Sequence, residues 1–438
     1  MGVWLAGRGM NCERLTGALQ RGKAPVNNRM HLFSTANYIK LVLLTSSLFY
    51  SCKQKPRETP AHLPLDVSIT YLESVKLSQL IEKDFVYLPL ASDTNALIGS
   101  VSRLILKDSA IFIFDASLAK RGYSFDMSGK ENFCFGKTGS GPGEYTLPTD
   151  MAVSDNNIII FDQDNFSVLY YNKTGEFLYE THVGYWLREF IPFSGDRFLG
   201  YTPTDYSPDG LEEAFVLRLL SADLQQTEKG FFPYEELLDD ADFGGNIAYY
   251  KGIYSYAKPL LGEIYALDQQ GKIRLRYKID FAPHNWPVDI RTLKDDQERA
   301  EALLFGGGIM SIIHAMLEND QYFVFQTVMV APEAASGKIS GDDYWWCIYN
   351  KTTNKCYAVH RVVNDIDGGA FTFPDATYLG RFVSILRAEA LLESRPEKKI
   401  MADDDTSLHV SLQQLADTLK PYSNPVLMFF TLKDNLTL

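Results

Sequence analysis

The stretch Ile111–Asp115, IFIFD, returns as Ile158–Asp162, IIIFD, 47 residues further on. Each copy is followed by a second strand-like run and a glycine turn: YSFDMSGKENFCF at 123–135 and LYYNKTGEFLYET at 169–181. Gly129 and Gly175 in those turns are 46 residues apart. Short apolar runs bounded by turn residues read as buried strands. A repeat of this length, built only of strands, has the size of one blade of a β-propeller. A four-stranded blade has apolar faces that it cannot bury alone; radial stacking buries both.

Outward from this pair, more diverged units follow. Runs at 198–201, 214–221 and 226–232 are expected to form a third unit, and runs at 255–258, 263–267 and 272–281 a fourth. Runs at 311–317, 322–330, 344–349 and 355–362 give a fifth; runs at 370–373, 381–385 and 425–432 give a sixth. Either 68–72 or 85–90 is expected to pair with 425–432, which closes the ring and removes exposed edges. The segments 291–304 and 408–419 read as helices, and 234–240 as a helical turn. Gly306–Gly308 ends the first of these helices. The expected fold class is therefore all-β: a six-bladed β-propeller with short helical insertions, spanning 66–438.

Composition agrees. The 438 residues are 46% hydrophobic and 13% aromatic, which supports a large core and favours strands. The net charge of −13 argues against a broadly basic nucleic-acid binder. The address lies near the N-terminus. Leu41–Tyr50, LVLLTSSLFY, follows Lys40 and precedes Ser51 and Cys52. Ten mostly apolar residues are too few to span a bilayer but suit a signal peptide. Ser51-Cys52 resembles the end of a bacterial lipoprotein signal, in which the Cys is lipidated. Residues 1–29 carry five basic residues and no apolar run, so Met30 is the expected start of translation. Residues 1–51 are then extension and signal, and 52–65 a Pro-containing tether. Cleavage before Cys52 takes six basic residues from 42 and one acid from 55, and the net charge becomes −18. The body keeps Cys134, Cys347 and Cys356. An odd number allows at most one pair, and reduced, buried cysteines are the expectation.

The stretch GKTGSGPGEYTLPTDMAV, 136–153, resembles the G-x-GPGEY-x-x-P-x-D signature of six-bladed β-propeller lipoproteins of Bacteroidetes. FVYLPLASDTNALIG at 85–99, GEIYALDQQGKIRLRYKIDF at 262–281 and SNPVLMFFTLK at 423–433 resemble further parts of that family in order. The unit at 158–178 is also similar to NHL-type propeller repeats. The resemblance implies a propeller and an envelope location, and it supplies no catalytic set.

The chemistry-bearing residues are few. The loop Gly136–Gly143 lacks the Gly-Lys-Ser/Thr ending of a phosphate cradle, and Glu144 would repel phosphate. It reads as a tight connection needing positive φ at some glycines, Gly141 among the candidates, with Glu144 bonding backbone amides. Asp115 and Asp162, at equivalent repeat positions, read as turn-binding carboxylates, with a cation-binding ring of acids as the alternative. Asp150 belongs to the same group. His314 lies in a strand that could face the axis. No zinc motif and no G-x-S-x-G elbow is present. Trp345 and Trp346 are adjacent in a strand, so they face opposite sides, and core packing is the leading reading over sugar stacking. The acidic run Asp403–Asp405 lacks calcium-loop spacing.

The expected function is an envelope-anchored lipoprotein, periplasmic or surface-exposed, whose propeller is a non-catalytic binding or scaffolding module. The alternative is a lyase or hydrolase acting on a glycan or other polymer at the axial funnel. A membrane contacted through the lipid anchor, and a glycan, peptide or envelope protein, are the expected partners. No cofactor is indicated, and a divalent cation is the one left open.

Overall fold

The computed structural model describes residues 64–92, 96–205, 214–235, 245–286, 289–293, 298, 309–330, 344–394, 412–434 and 436–438. Cys52, the signal segment, the tether to residue 63, Gly306–Gly308 and Asp403–Asp405 lie outside them.

The described chain is a succession of antiparallel four-stranded meanders. One contains Arg103–Lys107, Ala110–Asp115, Arg121–Asp126 and Glu131–Phe135. The next contains Pro148–Val153, Ile158–Asp162, Ser167–Tyr171 and Phe177–His182. The two copies of the repeat are thus the second strands of adjacent sheets. Gly129 and Gly175 occupy matching turns at φ +81° and +84°. Glu189–Pro192, Phe198–Tyr201, Phe215–Leu220 and Thr227–Pro233 follow, then Ile247–Tyr250, Ile253–Lys258, Glu263–Asp268 and Ile273–Asp280. Ile309–Glu318, Tyr322–Val330, Tyr344–Asn350 and Lys355–Val363 come next. The last sheet joins Ala376–Tyr378, Arg381–Leu386 and Val426–Phe430 to the early strand Val86–Pro89.

The first strands of these sheets contact one another in sequence, from 103–107 through 148–153, 189–192, 247–250, 309–318 and 376–378 back to 103–107. The ring is closed, and the architecture is an all-β propeller. Closure uses the antiparallel pair Val86–Pro89 with Val426–Phe430, one of the two arrangements expected. The other candidate, 68–72, lies in Leu65–Lys76. That strand runs parallel to the outer strand of the 247–280 sheet over Leu65–Ser68, and to that of the 309–363 sheet over Ile69–Lys76. It joins the two meanders into one nine-stranded sheet.

Packing explains why Ile111–Phe114 is apolar throughout. Alternate side chains of a strand point to opposite faces. Ile111 and Ile113 pack with Val383 and Leu427 of the 376–430 sheet, while Phe112 and Phe114 pack with Ile158 and Ile160 of the 148–182 sheet. Ile159 and Phe161 then meet Phe190 and Phe198 of the 189–233 sheet. Both faces are core, so neither can be polar. Fully burying each such side chain contributes about 1.5–3 kcal/mol.

Several expectations change. Residues 370–373 are not a strand; Phe371 and Phe373 pack on Trp346, and the strand is Ala376–Tyr378. Their aromatic character reflects cover over a core, not a ladder. The helix expected at 291–304 lies mostly outside the described residues; within them, Ile290–Thr292 is a 3-10 turn. Leu412–Thr418 is helical as expected, and 236–240 lies outside the described residues. A short helix, Ala388–Glu393, was not expected; it buries Leu391 beside Leu386 and Leu412. Cys347 and Cys356 are free and buried. Cys347 lies opposite Ala358, and Cys356 opposite Tyr349, so the two are diagonal neighbours. Diagonal pairs stand about 7–8 Å apart, beyond easy disulfide reach. Among the described residues, no helix is long and apolar enough to cross a membrane.

Candidate functional site

The first strand of each sheet borders the axis, and these strands place their side chains in two adjoining cavities of about 620 and 820 Å³. The cavities share Arg103, Ile105, Leu106, Ile191 and Tyr249.

Arg103 opens its strand and reaches across two neighbours. Its Nη1 donates to Glu189 Oε1 at 3.1 Å, and its Nε lies 3.7 Å from Asp150 Oδ1. The second oxygens are also used. Asp150 Oδ2 accepts the Phe190 N–H at 2.9 Å, and Glu189 Oε2 accepts the Asn246 N–H at 3.1 Å. One polar chain thus ties four consecutive sheets at the axis. Burial opposes the charge of Arg103, but the two carboxylates hold the guanidinium above its ordinary range. Burial also pushes Asp150 up despite Arg103, consistent with the longer of the two contacts. Glu189 is the closer counter-ion.

On the wall of the smaller cavity, Glu318 takes a forked pair of bonds from Arg276 at 2.6 and 2.8 Å and a third from Lys351 at 2.9 Å. Asp375 differs. Its Oδ2 accepts only the Ile385 N–H, at 2.8 Å, and the carboxyl faces the cavity. Protein surrounds it on most sides although the lumen leaves it accessible. Burial pushes it up to about 7, against the Ile385 bond.

Of the residues singled out from sequence, only Asp150 joins this axial group. Asp162 is fully buried and accepts the N–H groups of Thr146 and Leu147 at 3.0 and 2.8 Å and the Asn165 amide at 2.6 Å. Asp115 does the same for Gly99, Ser100, Ser117 and Leu118. Both carboxylates organise connections between strands, as the leading sequence reading has it. Glu144 accepts the Gly141 N–H at 2.8 Å and an ion pair from Lys137 at 2.7 Å. Lys137 and that N–H hold its carboxyl below the usual range. The positive-φ glycines of this loop are Gly136 and Gly143, not Gly141.

His314 is buried, and burial pushes its ring down to about 4. It meets Tyr344 edge-on, while Ala315–Glu318 line the cavity on that strand. The backbone is bulged here, with Ala315 at φ +49°, and the axial positions are displaced from His314 to its successors. Trp345 and Trp346 are each 5% exposed and lie in different cores, as their adjacency requires. Trp345 stacks on His360 at 4.8 Å. Among the described residues, no group of three His, Cys, Asp or Glu side chains could hold a metal.

Sequence reasoning missed Arg103, Glu189, Tyr249 and Asp375. Each lies on or next to a short first strand, and a correct assignment of those strands was the signal that could have found them.

The chain is similar in structure to an exported protein from Bacteroides fragilis, with a TM-score of 0.66 and 18% identity over 84% of this chain and 100% of that one. It is also matched by a member of the DUF4221 family from Bacteroides vulgatus, with a TM-score of 0.45 and 10% identity over 81% of this chain and 97% of that one. No curated protein matches it in sequence. Residues 61–431 match the family described as "Domain of unknown function (DUF4934)", and the chain, with its closed ring of meanders and axial polar group, belongs to that family.

Proposed function

We propose that this chain is an extracytoplasmic, lipid-anchored propeller of six blades that acts as a non-catalytic binding or scaffolding module, with its ligand taken at the axis. The observation that carries the reading is the axial cavity. Rigid strands from around the ring converge on a space of drug-ligand size, with hydroxyl, amide and carboxylate groups on its wall. The blade count is our reading of the four-stranded meanders, each supplying one strand to the axial ring. Export is supported by the apolar run Leu41–Tyr50 before Cys52, and by the description of the Bacteroides fragilis neighbour as exported. Anchoring rests on Ser51-Cys52. Stable anchoring takes more than one acyl chain.

Binding is tested by metal analysis of the purified protein, followed by thermal-shift and calorimetric screens with glycans, peptides and divalent cations. A saturable shift lost on substitution of axial residues supports the reading. Saturable binding that survives those substitutions moves the site to the loops. Lipidation is tested by incorporation of a labelled fatty acid, which Cys52→Ser should abolish. A second reading, a lyase or hydrolase on a glycan, would use Asp375, an accessible carboxyl on the cavity wall that burial pushes up. Turnover of polysaccharide, lost in Asp375→Asn, would establish it.

A further inference from the structure

The charges on the wall of the 620 Å³ cavity can be counted off one by one. They are Arg103, Glu189, Glu318 and Asp375 among the described residues. Arg103 and Glu189 face each other, with Asp150 behind. Glu318 is neutralised by Arg276 and Lys351. The Asp375 carboxylate alone has a backbone N–H as its only hydrogen-bond partner and no charge of opposite sign in contact, among the described residues. An ionised carboxylate inside protein walls focuses negative potential into the lumen.

A second feature of the same wall points to the same ligand chemistry. Tyr249 is 52% exposed and borders both cavities. Its ring rests on Tyr254 at 4.7 Å, and Tyr254 rests on Phe193 at 4.5 Å. The ladder fixes Tyr249 and leaves part of it open to the lumen. An electron-rich ring face attracts cations, most strongly organic ones that shed water easily. A divalent metal needs several oxygen or nitrogen ligands, and one carboxylate does not provide them.

We propose that the axial cavity takes an organic cation, an alkylammonium group, paired with the Asp375 carboxylate and bordered by the ring of Tyr249. The proposal deepens the axial-binding reading and rests on it. The other charged groups on the cavity wall are Arg103 on 103–107, Glu189 on 189–192 and Glu318 on 309–318, all paired; no ionisable side chain of Arg381–Leu386 lines the cavity. His314 shares a strand with Glu318 but titrates below the window used here.

The test is calorimetry of the full protein with n-butylammonium at pH 8, against n-butanol as the neutral isostere. The cation should bind about tenfold or more tightly than the alcohol, the scale of one charge-assisted pair. Asp375→Asn should remove that preference while leaving n-butanol unchanged. Tyr249→Leu should weaken the cation several-fold with an unaltered melting temperature. Affinity of the native protein should fall from pH 8 to pH 5.5, and that of Asp375→Asn should stay flat. Equal binding of cation and alcohol overturns the proposal. Binding of a neutral glycan at the axis with no response to n-butylammonium also overturns it, and leaves the axial-binding reading standing. Cation binding unaffected by either substitution overturns the site.

Discussion

Replacing Asp115 with Asn tests whether the repeated carboxylate is a structural tie. Asp115 Oδ2 accepts the N–H groups of Gly99 and Ser100 at 2.9 and 2.8 Å. Its Oδ1 accepts those of Ser117 and Leu118 at 3.1 and 2.8 Å and the Ser100 hydroxyl at 2.8 Å. Asparagine keeps the shape but has one acceptor. Its NH2 must face one of the two N–H pairs, so two partly buried donors lose their partner. A fully buried orphaned donor costs about 1–3 kcal/mol; the part exposure of these two keeps each near the low end, so the expected loss is about 2 kcal/mol. Unfolding entropy of roughly 2.1 cal/mol/K per residue over a propeller of this size converts that to a melting temperature lower by about 2–3 °C. Burial alone would raise the Asp115 carboxyl, but the Leu118 and Ser100 N–H bonds outweigh it and hold the group below its ordinary range. A lowered folded-state value means that the stabilisation is present above the unfolded value near about 3.9 and is lost as pH falls through the folded value. The gap between native and variant should therefore be constant from pH 5 to pH 8 and close below about pH 4. Calorimetric melts across pH measure both. A change under about 1 °C at pH 7, or a gap that widens in acid, would refute the reasoning.

Other outcomes follow from the same contacts. Gly143 has φ +73°, and a Cβ there would lie 2.7 Å from the Phe177 ring; Gly141 has neither restriction beyond the mobile end of Glu144 at 3.2 Å. Gly143→Ala should cost about 1–3 kcal/mol and Gly141→Ala under about 1, as chemical denaturation will show. Asn424 is buried and bonds the Ile98 N–H and the Ala91 and Ala96 carbonyls, so Asn424→Ala should lose about 2–4 kcal/mol and loosen ring closure, read by amide exchange on Val86–Pro89. Asp375 has a folded value raised to about 7, so its cost to stability is absent below the unfolded value and grows as pH rises towards 7. Solvent access holds that cost to roughly 1–2 kcal/mol, and Asp375→Asn should be the more stable form at pH 8 but not at pH 4.

The contrast between what the sequence shows and what it hides follows the radius of the propeller. Ile111–Asp115 and Ile158–Asp162 were legible because both faces of a second strand are core. The same holds for Tyr322–Val330 and Val426–Phe430. The first strands were mostly illegible. Arg103–Lys107, Glu189–Pro192, Ile247–Tyr250 and Ala376–Tyr378 are three to five residues long and border the lumen. They show neither a long apolar run nor a clean alternation. Only Ile309–Glu318, at ten residues, was long enough to be found. The axial residues were missed with their strands. Asp150 was noticed because a motif contains it, and its partner Arg103, 47 positions away, carries no local mark. Histidine and tryptophan drew attention by rarity, and the fold places them in packing.

Leu65–Lys76 has a mechanical consequence. The strand is the first among the described residues, and it is laid across two sheets rather than one. A pull on the polypeptide upstream of Leu65 along the strand axis loads the two ladders in shear, end to end along the strand, so many hydrogen bonds resist together instead of opening one after another. The tension divides between the 247–280 and 309–363 meanders. Neither the Val86–Pro89 closure nor the axial strands lie directly in that line of force. A propeller held by its leading end can be tugged without its ring being the first part to give.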